Sequence, residues 1–126
     1  MNTDFILEDE TDMIIGVDIE VHKILGAGFL EIVYKDALEF EFKEKGYSFC
    51  REEEYSISYK TAVLKHKFYA DFVIFDKVIL EVKAKQGGIS DEDLAQTINY
   101  LKVSGCKVGL ILNFAGSKLQ IKRVIF

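Results

Sequence analysis

The sequence contains no proline and no tryptophan, and only two of its 126 residues are cysteines. A chain without proline is not a proline-rich ligand, and it lacks the residue that marks many linkers and disordered tails. Cys50 and Cys106 lie far apart and form no CxxC spacing. We therefore expect two free thiols in a reducing compartment, rather than a disulfide or a metal-binding pair.

Signals for export and for membrane insertion are also missing. The N-terminal stretch MNTDFILEDETD is acidic and has neither the basic region nor the apolar core of a signal peptide. No apolar run approaches the about 18 residues that a membrane helix requires. We therefore expect a cytoplasmic protein that does not associate with a membrane.

Length and charge favour a single domain that is not strongly basic. A chain of 126 residues has the usual size of one domain and buries enough surface to fold without staples. We place this domain at residues 11–126, after a flexible acidic lead at residues 1–10. The net charge of −5 excludes a histone-like protein, but residues 60–126 hold 11 basic and 6 acidic side chains. This half could face an anionic partner.

The spacing of apolar residues predicts the order of the secondary structure elements. A repeat of three to four residues predicts helices at 12–25 and 30–45, and Ser90 as a cap before an acidic first turn predicts a third helix at 90–103. A repeat of two predicts strands at 55–59, 65–75, 78–83 and 119–126, and an apolar run predicts a central strand at 108–114. We interpret the charged run 51–54 as a solvated entry to the first strand. The order ααβββαββ favours an α/β fold, with one mixed β-sheet flanked by helices.

Three charged residues on the second and third predicted strands form a candidate site. Strict alternation puts Glu81 and Lys83 on one face of their strand. On the preceding strand, it puts Asp71 on one face and its sequence neighbours Ala70 and Phe72 on the other. A two-residue turn at 76–77 pairs residue 71 with 82 and separates the charges. A three-residue loop that includes Val78, or a bulge, pairs 71 with 83 and brings the charges together. The residues alone leave this register open.

Two converging carboxylates repel each other unless they share a divalent cation, and oxygen ligands suit Mg²⁺ or Mn²⁺. A lysine beside them can offset the charge of a phosphate or position a water, so the set suits metal-assisted hydrolysis of a phosphodiester. The ExK motif alone does not identify a catalytic site. Glu41-Phe42-Lys43 has the same motif on a predicted helix, where the two charged side chains diverge. The alternative is a solvated charge cluster without a catalytic role.

Gln96 and Tyr100 lie four residues apart on the third predicted helix, so their side chains share a face. The amide and the hydroxyl can hydrogen-bond a phosphate or brace a lysine. The same pair also suits an ordinary polar edge of a helix.

Several segments in a consistent order resemble the GxxExxY family, which is placed within the PD-(D/E)xK nuclease-like superfamily. The signature segment is GFLEIVY at residues 28–34. The other matching segments are EVHK at 20–23, AD at 70–71, EVKA at 81–84, AQ at 95–96, NYLK at 99–102, VGLILNF at 108–114 and LQIKR at 119–123. Ala27, Tyr69 and Ala115 depart from the family pattern, but none of them is a predicted ligand.

The resemblance implies a restriction-endonuclease-like core and a set of site residues. It assigns catalytic roles to Glu31, Asp71, Glu81 and Lys83, metal binding to Asp71, Glu81, Glu31 and the carbonyl of Val82, and substrate contacts to Gln96 and Tyr100. In this interpretation Glu31 orients a metal-bound water or binds a second ion, and Lys83 positions the nucleophile. For Glu20 and His22 the resemblance implies no defined role, and we expect His22 at the surface or in packing.

The function that these residues favour is a Mg²⁺- or Mn²⁺-dependent nuclease that acts on DNA, with RNA as the second choice. A homodimer would let two sites address two strands. The alternative is a catalytically silent protein of the same fold that binds nucleic acid or a protein partner, because a fold does not establish an activity. The intact set of Asp71, Glu81 and Lys83 favours catalysis.

Overall fold

Five strands form one mixed sheet in the computed structural model, which describes residues 6–126. The strands are β1 (Phe49–Tyr59), β2 (Ala62–Ile74), β3 (Val78–Lys83), β4 (Val108–Asn113) and β5 (Gln120–Ile125). They lie side by side in sequence order, and only β3 and β4 run parallel. The helices are α1 (Glu8–Leu25), α2 (Glu31–Lys45) and α3 (Asp91–Ser104). The predicted order ααβββαββ and the α/β fold class are confirmed.

Helices α1 and α2 cover one face of the sheet and bury most of its apolar side chains. Their core residues are Ile14, Val17, Val21, Tyr34, Leu38 and Phe42, packed with Phe72, Leu80, Val82, Leu110 and Phe114. Helix α1 begins at Glu8, so the end of the predicted acidic lead is helical, and residues 1–5 of that lead lie outside the described residues. Asp18 of α1 is fully buried, and neither carboxylate oxygen has a hydrogen-bond partner within residues 6–126. Burial raises the pKa of Asp18 well above its usual value.

Helix α3 covers the opposite face and forms the crossover that a parallel strand pair requires. A capping box fixes its start, because the side chains of Ser90 and Asp93 each accept a backbone N–H from the other residue. The helix then packs closely on β4 at Gly109, where an added Cβ would meet Cγ2 of Thr97 at 2.8 Å. This contact sets how near α3, and with it Tyr100, lies to the sheet.

The turn between β2 and β3 contains Phe75, Asp76 and Lys77, since Ile74 pairs with Val78. Both registers that we considered from the sequence are therefore wrong. Phe75 belongs to the turn because its ring packs on Tyr47 at 5.2 Å between centroids and its N–H donates to the carbonyl of Ser48. Continued along the strands, the observed register sets residue 71 opposite 81.

The β1–β2 hairpin is longer than the alternating pattern predicts. Residues 51–54, which we interpreted as a solvated entry, lie within β1, and β2 begins at Ala62. Opposing charges on the neighbouring elements explain the difference, since Arg51 of β1 pairs with Asp36 of α2 at 2.8 Å. Cys50 and Cys106 are free thiols, as predicted. No helix within residues 6–126 is long and apolar enough to cross a membrane.

Candidate functional site

The candidate site lies where β2 and β3 separate. Their pairing covers residues 72–74 and 78–80, and beyond it the carboxylate of Asp71 takes the place of a strand partner. Oδ2 of Asp71 accepts the N–H of Val82 at 2.7 Å, and the N–H of Asp71 donates to Oε1 of Glu81 at 3.4 Å. The two carboxyl groups thus meet across the opening, which brings Asp71 and Glu81 together.

A break in the alternation of β2 creates this opening. Ala70 and Val73 pack in the α3 layer, whereas Phe72 packs in the layer of α1 and α2, so the strict alternation that we predicted fails at Asp71. Glu52 stands opposite Asp71 between two paired positions of β1, and its φ of 57° lies in the left-handed region. Such a local irregularity re-aims a side chain from the regular pleat.

Glu81 is buried, with 4% of its surface exposed. Burial first, and the charge of Asp71 second, raise the pKa of Glu81 to about 9, against a smaller opposing effect of Lys83. Without a cation, this carboxyl therefore carries a proton at neutral pH. A bound divalent cation would displace that proton, because metal ligands bind in their ionised form.

Lys35 of α2 enters the site from the helical layer, although it belongs to none of the predicted site residues. Its ammonium group donates to Oδ1 of Asp71 at 2.9 Å and also contacts the carboxylate of Glu52. Burial lowers the pKa of Lys35, but these two hydrogen bonds outweigh burial and raise it above the usual value. The spacing between Glu31 and Lys35 is one helical turn, which is the signal that could have placed Lys35 beside the site.

Glu31 and Lys83 lie at the rim of the site. Glu31 is the exposed first residue of α2, and partial burial, followed by the charge of Asp71, raises the pKa of Glu31 while Lys83 lowers it. Lys83 makes no ion pair within 4.0 Å in the part of the chain that the structure describes. It therefore supplies a positive charge near Glu31 and Glu81, and it lowers the pKa of both carboxyl groups.

Tyr34 of the GFLEIVY segment acts on the site through the backbone. Its hydroxyl donates to the carbonyl of Gly26 at 2.6 Å and accepts the N–H of Phe29 at 3.2 Å. Its ring stacks on Phe114 with centroids 4.4 Å apart. These contacts hold the loop before α2, so they fix where Glu31 begins the helix.

Tyr100 and Gln96 approach from α3 and differ in their positions. Tyr100 is buried, and burial, followed by the charges of Glu81 and Asp71, raises its pKa to about 12. Its hydroxyl is thus a donor that faces the carboxyl pair. Gln96 is exposed one turn earlier, with its amide nitrogen 3.5 Å from that hydroxyl.

His22 and Glu20 of the EVHK segment do not reach the site. His22 is buried, packs on Phe114, and its Nε2 lies 3.0 Å from the carbonyl of Gly116. Its predicted packing role is confirmed, while the alternative surface position is wrong. Glu20 is exposed on α1.

The donors at the opening fit a hard divalent cation that keeps several waters. No group of three or more His, Cys, Asp or Glu side chains that could hold a metal occurs within residues 6–126. The protein offers Asp71, Glu81 and the backbone of Val82, whose N–H already points at Asp71; the carbonyl of a strand residue points to the same side as its N–H. Mg²⁺ is commonly bound by one or two carboxylates together with water and substrate phosphate.

Comparison with known proteins agrees with this fold. A family model described as the PD-(D/E)XK nuclease superfamily matches residues 8–124. The crystal structure of SSO0001 matches 74% of this chain with a TM-score of 0.58 and 17% identity, and this likeness concerns the fold alone; the chain spans about half of that protein, 48% of its length. Among curated proteins, none matches the chain. The match over nearly all described residues shows that the chain belongs to the PD-(D/E)XK nuclease superfamily, whose members typically use divalent metals.

Proposed function

We propose that the chain is a nuclease that uses Mg²⁺, or Mn²⁺ in its place, to hydrolyse phosphodiester bonds of DNA, with RNA as the second substrate. The observation that carries the proposal is the meeting of two buried carboxyl groups, Asp71 and Glu81, at a strand opening beside Lys83, which makes no ion pair within residues 6–126. Without a metal, a proton on Glu81 and the ammonium group of Lys35 relieve the repulsion between these carboxyl groups, and a divalent cation would take over that task. We also propose that the chain belongs to the GxxExxY family, on the basis of its GFLEIVY segment, in which Tyr34 anchors the loop before Glu31.

Each proposed residue has a task that its position supports. Asp71, Glu81 and the carbonyl of Val82 hold the cation, which when bound supplies an activated water and neutralises phosphate charge. Glu31 stands at the exposed rim, where it orients the attacking water or binds a second ion. Lys83 positions the nucleophile and offsets charge that develops on the phosphate.

The helix motif of α3 completes the proposed site. The hydroxyl of Tyr100 keeps its proton at neutral pH, so it donates a hydrogen bond to a phosphate oxygen or to the carboxyl pair. Gln96 is exposed beside it and contacts the substrate strand with its amide. A single domain over residues 11–126, a homodimer and a cytoplasmic location stay predictions.

A catalytically silent binding protein is the second candidate, and Lys35 is the observation that favours it. Its ammonium group already neutralises Asp71, so it competes with a cation for that carboxylate. Glu52, the other partner of Lys35, would keep the ammonium group paired if a cation took its place on Asp71.

Cleavage assays test the proposed activity. Supercoiled, linear and single-stranded DNA and an RNA are incubated with Mg²⁺, Mn²⁺ or EDTA. We expect Asp71→Asn and Lys83→Ala to lose at least 100-fold in rate, as when electrostatic stabilisation of a transition state is removed. Lys43→Ala is the matched control, because it alters the ExK letters on the exposed side of α2. Cleavage that survives in Asp71→Asn would come from a contaminant and contradict the proposal.

Metal binding separates the two candidates. Thermal unfolding is followed while Mg²⁺ or Mn²⁺ is added to the wild type and to Lys35→Met. We expect the variant to unfold at a lower temperature without metal, because Asp71 loses its buried partner, and to gain more from added metal. A wild type that folds but neither binds metal nor cleaves would support the silent protein.

A further inference from the structure

The outer part of the β1–β2 hairpin projects from the sheet as a two-stranded arm. We define the basic arm as residues 56–67. Strand β3 pairs with β2 only at residues 72–74, so the described residues provide no third strand for the arm. The base of the hairpin is held by Phe68, whose ring meets Tyr100 at 5.3 Å between centroids. Beyond it, every residue of the arm is exposed except the half-buried Ile57.

The shape of the basic arm is set by its pairing. Ser56 pairs with Lys67 and Ser58 pairs with Val63, so β2 contains two extra residues in a bulge between these positions. A bulge bends a strand pair and increases its twist. Counted along β1, which has no extra residues here, three residue steps from Ser56 to Tyr59 give a reach of roughly 10 Å at about 3.3 Å per residue. The arm is long enough to contact a large partner.

The charge of the basic arm is opposite to that of the rest of the chain. It holds Lys60, Lys65 and Lys67 and no acidic residue, while the chain as a whole has a net charge of −5. Lys67 pairs with Glu54 at 3.6 Å. Lys60 and Lys65 have no ion-pair partner within residues 6–126, and Lys60 lies over the ring of Tyr59 at 5.6 Å. Two lysines are thus available for an anionic partner.

A second copy of the chain is disfavoured as the occupant. Antiparallel pairing of two β2 edges would bring the lysines of one arm against those of the other, and like charges directly opposite destabilise a strand pair. Lysine on an exposed edge strand commonly prevents such pairing. A phosphate backbone is instead attracted by the same charges, and a two-stranded ribbon fits the major groove of B-form DNA.

The basic arm leads directly into the candidate site. Strand β2 continues from Lys67 to Asp71, and β1 continues from Ser56 back to Glu52, which lies opposite Asp71. A duplex held along the arm therefore passes the opening that contains Glu81. We infer that the basic arm is a duplex-DNA contact that lies in the major groove and guides the substrate to Asp71. This inference rests on the proposed nuclease function.

Binding measurements without cleavage test the arm. A fluorescein-labelled 30-bp DNA duplex is titrated in EDTA between 50 and 200 mM NaCl, with fluorescence anisotropy as the signal. The arm variant is Lys60→Gln with Lys65→Gln, and the matched control is Lys107→Gln with Lys122→Gln, which removes one exposed lysine just before β4 and one in β5. We expect the arm variant to bind at least fivefold more weakly at 50 mM NaCl. We also expect its slope of log Kd against log salt to fall by about 2, close to 0.9 for each phosphate contact.

Three results would overturn the inference. The arm variant could bind as the wild type or the control does, the wild type could fail to bind the duplex, or the arm variant could lose equal affinity for an A-form RNA duplex, whose narrow major groove side chains cannot enter. Sedimentation velocity adds a fourth, because a dimer strengthened in the arm variant would show that the edges pair. Wild-type protein that binds DNA through the arm but does not cleave it with Mg²⁺ would contradict the nuclease proposal alone.

Discussion

At the residue scale, the chemistry of the site depends on what each charged side chain touches. Asp71 and Glu81 look equivalent in sequence, but Asp71 has Lys35 and the N–H of Val82 as partners, whereas Glu81 has the N–H of Asp71 at 3.4 Å. Asp71 is therefore part of an ion pair with Lys35, whereas burial and the charge of Asp71 favour the neutral form of Glu81. The residue types were predictable from the sequence, but their protonation was not, because it depends on burial and on a helix residue far away in the chain.

The raised pKa of Glu81 predicts a specific pH dependence of stability. The Glu81 carboxyl binds its proton more tightly in the folded chain than in the unfolded chain. The folded state therefore loses stability as the pH rises from about 4, the pKa of the group in the unfolded chain, to about 9, its pKa in the folded chain. Glu81→Gln removes this loss. We expect the variant to be more stable than the wild type at pH 8, by about 1–3 kcal/mol, and similar at pH 4.

Urea unfolding in EDTA at pH 4, 6 and 8 measures the effect. Glu20→Gln, an exposed carboxyl on α1, is the control and should follow the wild type. Asp71→Asn should instead lose roughly 1.5–3 kcal/mol at pH 8, because a charged hydrogen-bond partner is removed. An equal fall with pH in Glu81→Gln and the wild type would contradict the assignment.

At the element scale, the site depends on how the helices and turns pack against the sheet. The apolar spacing predicted each helix and strand, and Gly46 and Gly105 end α2 and α3 in left-handed conformations, as helix-terminating glycines do. The β2–β3 register could not be predicted, because it depends on Phe75 packing against Tyr47 outside the hairpin. Likewise, residues 51–54 look solvated as a run of charges, yet Arg51, Glu53 and Glu54 pair with β2.

Helix α3 packs closely on β4 at Gly109, so this position tolerates no larger side chain without a loss of stability. Gly109→Ala adds a methyl group 2.8 Å from Thr97, so we expect a loss of about 1–3 kcal/mol in the free energy of unfolding from overpacking. Because α3 carries Tyr100, cleavage should fall as well. Gly16→Ala is the matched control, since nothing lies within 4 Å of its added Cβ, and helical alanine should stabilise α1 by about 0.5–1 kcal/mol.

Two measurements separate stability from activity. Thermal unfolding gives the transition temperatures of the wild type and of Gly109→Ala, and DNA cleavage is measured well below both of these temperatures. If Gly109→Ala unfolds at the wild-type temperature and cleaves at the wild-type rate, then α3 adjusts without cost. That result would show that the separation of α3 and β4 does not position Tyr100.

At the scale of the whole molecule, acidic charge at the site opposes the approach of an anionic substrate. The net charge is −5, and Glu31 and Asp71 contribute carboxyl groups where phosphate would lie, joined by Glu81 once it loses its proton. A bound cation offsets part of this field, and the basic arm draws the duplex from a distance. Composition alone could not separate these contributions, because residues distant in sequence share one surface.

Glu31→Gln tests how strongly the negative charge at the exposed rim of the candidate site opposes DNA binding. In EDTA at 50 mM NaCl and pH 8, we expect this variant to bind duplex DNA about two- to fivefold more tightly than the wild type, because one negative charge facing phosphate is removed. The gain should shrink at 200 mM NaCl through screening. Glu44→Gln, an exposed change at the end of α2, is the control, and an equal gain there would mean that only net charge matters.

The sequence by itself determined the order ααβββαββ, the α/β fold class and the free thiols, because these follow from local periodicity and from residue type. It also supplied Asp71, Glu81 and Lys83 as candidates. Only the tertiary structure decided that the strand pair opens at Asp71, that Lys35 neutralises it and that Glu81 holds a proton. The physical reason is that register, burial and charge at one point depend on contacts between α2, α3 and the sheet, which no short stretch of sequence contains.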